Sequence, residues 1–170
     1  MTGVQTCALP IFIAVEQGYL YAFDRVRGKM LWRTEVEGYL ISSLAVAEDN
    51  TVFVCSSKTG IIRAVNGDTG KLKWKVELNE ILTASPSISE DGTLYLGTWS
   101  KKIYALNGRT GKEIWVCPVK GSLESSPALG ANGVLYIGLA TKTSGHVLAV
   151  TMKTGKIKWE LHDMTARFRG

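Results

Sequence analysis

The sequence predicts an all-β protein, a β-propeller built from four-stranded antiparallel blades. Three observations carry this prediction. One eleven-residue pattern occurs four times, at residues 22–32, 64–74, 105–115 and 149–159. The tryptophans that end the four copies are 42, 41 and 44 residues apart. Short β-prone runs separated by turn residues fill each period, and a repeat of this length that holds four strands is typical of a propeller blade.

The predicted strands follow the same order in every period. They cover residues 12–15, 19–23, 30–36 and 42–46, then 51–55, 61–65, 72–78 and 84–88, then 93–97, 103–106, 114–119 and 125–129, and finally 134–138, 147–150 and 157–161. The copied pattern forms the hairpin turn before the last strand of each blade, where Gly28 and its equivalents can supply the positive φ of a tight turn. Many strand runs are apolar on both faces, which suits sheets covered by neighbouring blades.

These strands divide the chain into about 3.75 blades. Residues 12–50 hold a partial blade 1 and the first strand of blade 2. Residues 51–92 and 93–133 each complete one blade and open the next, and residues 134–161 complete blade 4. Residues 162–170 are expected to be a truncated connection to a further blade.

Composition limits the classes of partner. The chain has 170 residues, of which 45% are hydrophobic, and a net charge of +5. One lysine follows each turn glycine, so the positive charge is spread around the repeat and favours a solvated rim. An acidic partner is the alternative, but a scattered ring of charge is a poor nucleic-acid footprint. No stretch approaches the ~20 apolar residues of a membrane span.

The first eleven residues depart from the repeat. Residues 1–11 resemble the conceptual translation of a sequencing adapter, and we therefore exclude them from the fold prediction. The alternative is an unusual native segment whose apolar residues 8–11 start a strand. If the segment is an adapter, the native N-terminus lies upstream and a signal peptide cannot be observed.

The repeated pattern also indicates a family. WD repeats have Trp-Asp and Kelch repeats have Gly-Gly, and neither dipeptide recurs here. The pattern Ala-x-Asp/Asn-x-x-Thr-Gly-Lys-x-x-Trp closely resembles the tryptophan-docking motif of pyrroloquinoline-quinone (PQQ)-type propeller repeats, as do the Ser-Ser-Pro, Asp-Gly and Leu-Tyr-Ile-Gly elements. The resemblance covers residues 12–161, with departures at Arg27 and Thr151. It implies a closed ring of eight blades, so we expect the chain to be a fragment.

The resemblance assigns a structural role to the repeated residues. In this family the tryptophan packs across the turn of the neighbouring blade, and a buried indole needs a partner for its N–H. The predicted docking residues are Trp32, Trp74, Trp115 and Trp159, with the turn glycines Gly28, Gly70, Gly111 and Gly155. The alternative, an aromatic ligand box, fits this regular spacing poorly. Asp24, Asn66 and Asn107 are predicted to cap their turns rather than to bind metal.

A ligand face is expected where the copies differ from one another. The candidates lie in loops and connections on one side of the ring, and they are Trp99, Lys102, Glu80, Glu124 and His146. Ordinary exposed loop chemistry is the interpretation that the sequence favours for these residues over a ligand face. We predict no catalytic, cofactor-binding or metal-binding residue. Cys55 and Cys117 are isolated, and a buried thiol is the expectation for Cys55.

Two functions follow from the resemblance. The first is a non-catalytic protein-interaction scaffold of the cell envelope or secreted space, either periplasmic, outer-membrane-associated or extracellular. Its partners would be proteins, besides the missing blades of its own ring. The second is a fragment of a PQQ-dependent alcohol or sugar dehydrogenase, with PQQ bound only by the full-length protein. Short loops favour the scaffold, because the enzymes carry long insertions. A sensor domain fused to another module is a third possibility, since fold alone does not fix function.

Overall fold

The structure is a computed structural model, and it describes residues 10–40, 44–82, 84–142 and 144–164. Within these residues fifteen strands form four antiparallel sheets, and no helix occurs. The all-β prediction and the partial propeller are confirmed. The described segments also contain no helix that is long and apolar enough to cross a membrane.

Each sheet is a meander in which spatial order follows chain order. The first sheet has three strands, β1 (Ile11–Val15), β2 (Tyr19–Phe23) and β3 (Met30–Glu35). The second has β4 (Ala45–Val46), β5 (Thr51–Cys55), β6 (Ile61–Asn66) and β7 (Leu72–Glu77). The third has β8 (Ser87–Ile88), β9 (Thr93–Gly97), β10 (Lys102–Asn107) and β11 (Glu113–Pro118). The fourth has β12 (Ala128–Gly130), β13 (Val134–Ala140), β14 (Gly145–Thr151) and β15 (Ile157–Met164).

The hydrophobic core lies between sheets. One cluster packs Leu20 of the first sheet against Val52 and Val54 of the second. A second cluster joins the second and third sheets around Phe53 and Leu94, and a third joins the last two sheets. A middle strand such as β5 is therefore buried along its whole length, with apolar residues on both faces.

The repeated alanine and tryptophan are cross-strand partners in every sheet. The pairs are Ala22 with Trp32, Ala64 with Trp74, Ala105 with Trp115, and Ala149 with Trp159. A register shift follows each of these alanines, and each alanine is completely buried. A small side chain is required there because the large indole opposite fills the adjacent space.

Three tryptophans contact the turn of the next sheet. The indole N–H groups of Trp32 and Trp74 each donate a hydrogen bond of 2.9 Å, to the carbonyls of Gly67 and Gly108, and that of Trp115 donates to Met152 at 2.8 Å. The rings also lie over the turn glycines. A Cβ added to Gly70, at φ +70°, would be 2.8 Å from Cε3 of Trp32. Glycine is therefore needed there both for its φ and for the approach of the ring.

The two ends of the array have the same residues without these contacts. No described atom lies within 4 Å of a Cβ built on Gly28. Trp159 is 47% exposed, and among the described residues its indole has no hydrogen-bond acceptor. Within the described residues, Gly28 is therefore a docking turn that no indole covers, and Trp159 is a docking indole that covers no turn.

Some strand ends differ from the sequence prediction. The first strands of the third and fourth sheets, β8 and β12, begin at Ser87 and Ala128. They start after Pro86 and Pro127 because proline has no N–H to donate to the ladder of a sheet. β15 continues to Met164 and pairs with Gly145, so residues 162–164 extend a strand. Of the segment compared with an adapter, residues 1–9 lie outside the described residues, and Ile11 opens β1 opposite Phe23. Residues 41–43 and 165–170, parts of two other predicted segments, also lie outside them.

Candidate functional site

The connections between sheets run beside the central loops of the sheets on one side of the molecule. The backbone N–H of Ser57 donates to the Tyr39 carbonyl at 2.9 Å, and that of Trp99 donates to the Ile81 carbonyl at 3.0 Å. In the last sheet, the backbone of Ser122 exchanges hydrogen bonds with that of Ala140. We call this side the connection face. It comprises residues 36–40, 78–82 and 119–124 of the connections, together with the loops 56–60, 98–101, 141–142 and 144.

Glu80 and Lys102 form an ion pair on the connection face, in which the carboxylate is buried and the lysine side chain is partly exposed. Glu80 follows β7 and its side chain is 5% exposed, whereas Lys102 opens β10. The Lys102 ammonium lies 2.6 Å from Oε1 of Glu80, and the Tyr104 hydroxyl donates to the same oxygen at 3.2 Å. Lys102 and Tyr104 can both reach Glu80 because residues two apart share one face of a strand. Oε2 of Glu80 is buried, without a hydrogen-bond partner among the described residues.

The surroundings of Glu80 favour its charged form. Burial raises the pKa of the carboxyl, but the Lys102 ammonium and the hydroxyls of Ser100 and Tyr104 together lower it below its ordinary value. Burial and the negative charge of Glu80 raise the pKa of the Tyr104 hydroxyl. The cluster is therefore a carboxylate with an ammonium and a neutral phenol at neutral pH. It resembles a structural tie between two blades more than a group prepared for proton transfer.

Arg63 makes the equivalent tie one blade earlier. It occupies the strand position of Tyr104, and its side chain is almost completely buried. Its guanidinium donates to Oε2 of Glu37 at 2.7 Å and to the Glu37 carbonyl at 3.1 Å. Sequence reasoning missed this residue. The available signal was a single arginine inside the apolar run Ile61–Asn66.

His146 lies in a separate polar cluster in the last sheet. Its Nδ1 is 2.9 Å from Oε1 of Glu160, and its Nε2 is 2.8 Å from the Ser144 hydroxyl. His162 packs edge-on against His146 with 4.9 Å between ring centroids. Glu160, Ser144 and His162 had not been singled out as site residues from the sequence.

Trp99 is the most exposed aromatic residue of the connection face. It is 49% exposed, it occupies the position of Ser57 in the preceding blade, and its backbone bonds to exposed Ile81. Tyr39, equivalent to Ile81 one connection earlier, is also exposed, with the Lys58 ammonium 4.6 Å from its ring centroid. Trp99 and Ile81 are thus exposed apolar neighbours on the connection face, and Tyr39 repeats the position of Ile81 one connection earlier.

The five predicted ligand-face residues are thus only partly brought together. Glu80 and Lys102 are in contact, and Trp99 is hydrogen-bonded to the residue that follows Glu80. His146 belongs to the separate cluster with Glu160. Glu124 is half-buried and forms no ion pair or hydrogen bond with any residue that the structure describes.

The described cysteines are buried free thiols. Burial raises the pKa of Cys55 to about 12, and it also raises the pKa of Cys117. The prediction of a buried thiol at Cys55 is confirmed. The turn caps are confirmed as well, since the side-chain oxygens of Asp24, Asn66 and Asn107 each accept two backbone N–H bonds from their own turns.

Comparison with solved structures gives the same architecture. BamB from Moraxella catarrhalis matches 90% of this chain and 45% of its own, at 21% identity and a TM-score of 0.77. Quinohemoprotein alcohol dehydrogenase from Comamonas testosteroni matches 75% of this chain and 21% of its own, at 21% identity and a TM-score of 0.64. A europium-containing methanol dehydrogenase matches 91% of this chain and 40% of its own, at 15% identity and a TM-score of 0.79. The chain therefore spans less than half of each protein, and at these identities the likeness concerns the fold.

Sequence comparison identifies the family. No curated protein matches the chain significantly. A family model described as outer membrane protein assembly factor BamB matches residues 58–169, about two thirds of the chain. Together with the four copies of the repeat, this match means that the chain belongs to the PQQ-type β-propeller repeat family represented by that model.

Proposed function

We propose that this chain serves as a non-catalytic protein-binding scaffold of the cell envelope, in the periplasm or at the outer membrane. The description of the matching family model, an outer membrane protein assembly factor, supports both the compartment and the kind of partner. The partner would be a protein component of outer-membrane assembly that docks on the connection face.

The observation that carries this proposal is the exposed Trp99 beside Ile81. Trp99 is off the docking position of the repeat, and half of its surface is accessible. Its equivalent in the preceding blade is Ser57, so the fold itself does not require an indole there. Tryptophan is among the residues that contribute most to protein interfaces, where a large flat ring fills a pocket of the partner.

The buried polar groups of the connection face support the same proposal. The carboxylate of Glu80 and the guanidinium of Arg63 are buried and are both satisfied largely by contacts within the chain. Each pair joins a connection to the blade that follows it. The face is therefore rigid before a partner arrives, which lowers the entropic cost of binding.

The described residues do not fit a PQQ site. The resemblance implies a quinone stacked on an aromatic side chain, with a metal ion held by several carboxylates. Glu80 directly precedes Ile81, whose carbonyl accepts a hydrogen bond from the Trp99 backbone, and the Lys102 ammonium 2.6 Å from Glu80 neutralises its charge. An ion pair of zero net charge is a poor ligand for a divalent cation. We therefore derive no catalytic step for this chain.

Site-specific photocrosslinking tests the proposal. A photoreactive phenylalanine analogue replaces Trp99, and in a matched control it replaces Leu72, which is exposed on the outer strand β7. In an envelope preparation the probe at position 99 should form an adduct with an outer-membrane assembly component, whereas the probe at position 72 should not. Equal adducts at both positions, or none at position 99, would contradict the proposal.

A titration with PQQ and Ca²⁺ tests the dehydrogenase alternative. Bound quinone would quench the fluorescence of a nearby indole. We expect equal, small changes for the wild-type chain and for Trp99→Phe. Saturable quenching that Trp99→Phe abolishes would favour the quinoprotein reading over the scaffold.

A further inference from the structure

The only two histidines in the 170-residue chain lie side by side on neighbouring strands, with a glutamate between them. Their donor atoms and a carboxylate oxygen of Glu160 are all within 4.8 Å of one another. We propose that His146, Glu160 and His162 form a binding site for a divalent transition-metal ion of the Zn²⁺ type. This site is independent of the proposed scaffold function.

The strand register places the three side chains on one face of the last sheet. Val147 of β14 pairs with Leu161 of β15, so these two side chains lie on one face of the sheet. Successive side chains of a strand alternate between faces, and Glu160, His162 and His146, each next to one of this pair, therefore share the other face. The next aligned pair is Gly145 with Met164, which gives β15 one residue more than β14 in this stretch. Continuing the register of Val147 with Leu161 by one residue places His162 across from His146, and the bulge begins only at this point of the ladder.

The distances suit a first-row metal ion. Nδ1 of His146 is 2.9 Å from Oε1 of Glu160, and Nδ1 of His162 is 3.7 Å from the same oxygen. Zinc bonds of about 2.0–2.2 Å to nitrogen and oxygen allow ligand atoms to lie up to about 4 Å apart. Small side-chain rotations therefore suffice to bring all three atoms around one ion. Two imidazoles and a carboxylate are a set that such ions favour, and they leave a position for water.

Ser144 is suited to orient His146 as a ligand. Its hydroxyl lies 2.8 Å from Nε2 of His146, and Thr141 holds the Ser144 backbone and hydroxyl in place. When Nδ1 binds a metal ion, the proton of the neutral ring resides on Nε2 and can be donated to the Ser144 oxygen. Metal-bound histidines usually donate their second N–H to such a partner.

Burial and charge also suit an ion at this place. The side chains of His146 and Glu160 are largely buried, so packing holds these two ligands in place. His162 is exposed, so the metal ion can reach the site from solvent. One cation competes for the carboxylate, since Lys120 Nζ lies 3.9 Å from Oε2 of Glu160. The Lys120 side chain is 78% exposed, so it can turn into solvent when a metal ion binds.

Zinc binding to the tag-free, chelator-dialysed chain tests this site by isothermal titration calorimetry. We expect one Zn²⁺ per chain, bound at least tenfold more weakly by His162→Ala, by Glu160→Gln and by Ser144→Ala. The matched control is Glu113→Gln, an exposed glutamate on the outer strand of the preceding sheet, which should bind as the wild type does. His162 is exposed, so His162→Ala should keep the wild-type circular dichroism spectrum.

Cobalt absorption identifies the ligands. Co²⁺ at this site should give visible d–d bands without the near-ultraviolet charge-transfer bands of cysteine ligands. Absence of binding, binding unchanged in His162→Ala, or thiolate bands that indicate the cysteines would each overturn the proposal.

Discussion

A single methyl group added to a docking turn should weaken the joint between two blades. Gly111 has φ +72°, and a Cβ built on it lies 2.8 Å from Cε3 of Trp74. Alanine in the left-handed region costs about 1–2 kcal/mol, and overpacking a closed contact costs a further ~1–3 kcal/mol. Gly111→Ala should therefore lower the free energy of unfolding by about 2–5 kcal/mol.

Gly28→Ala is the matched control for this substitution. Gly28 has the same place in the repeat and φ +62°, but no described atom lies within 4 Å of its added Cβ. Only the backbone cost of about 1–2 kcal/mol remains. The difference between the two variants, about 1–3 kcal/mol, isolates the contact with the tryptophan.

Urea unfolding followed by far-ultraviolet circular dichroism measures both free energies. A second background sharpens the test. In Trp74→Ala, which should itself cost about 3–5 kcal/mol, the alanine at position 111 should cost no more than the alanine at position 28. Equal losses for Gly28→Ala and Gly111→Ala in the wild-type background would refute the argument that the indole requires the glycine.

Three further outcomes follow from the buried polar groups and thiols. The folded-state pKa of Glu80 is lowered, so its charge stabilises the fold above about pH 4.3, and this stabilisation is lost as the pH falls through the folded pKa. Glu80→Gln should therefore lower the free energy of unfolding by about 1–3 kcal/mol at pH 7. A decrease of the same size in acid would contradict the ion pair. Arg63→Ala should also lose about 1–3 kcal/mol, whereas Lys75→Ala, 3.8 Å from the same exposed carboxylate, should lose less than about 1 kcal/mol in the same urea assay. With a pKa of about 12, Cys55 should resist a thiol reagent at pH 8 until the chain unfolds, and immediate labelling at this position, mapped by mass spectrometry, would exclude its burial.

The architecture could be predicted from the sequence because it is repeated. Each of the four copies predicts the same hairpin, so an ambiguous strand or turn assignment in one copy is resolved by the other three. The prediction failed where pairing depends on more than the pattern. The first strands of the third and fourth sheets were predicted too long, because Pro86 and Pro127 interrupt the ladder within the predicted strands 84–88 and 125–129.

The candidate site was less accessible to sequence reasoning. Glu80 and Lys102 were selected because they interrupt the repeat, but their contact depends on how a connection folds over the next blade. His146 and His162 are sixteen positions apart and match no ligand spacing. The predicted last strand ended at residue 161, so the pairing that places His162 across from His146 was not foreseen.

Hydrogen exchange at the indole N–H groups of the five tryptophans tests the account most directly. In a ¹⁵N-labelled sample transferred to D₂O, the indole N–H groups of Trp32, Trp74 and Trp115 should exchange slowly, because each is bonded to the next blade. Those of Trp99 and Trp159, which are about half exposed, should exchange quickly. Rapid exchange of all five would contradict the tryptophan-joined blades. Protection of Trp99 in the isolated chain would contradict its exposure on the connection face.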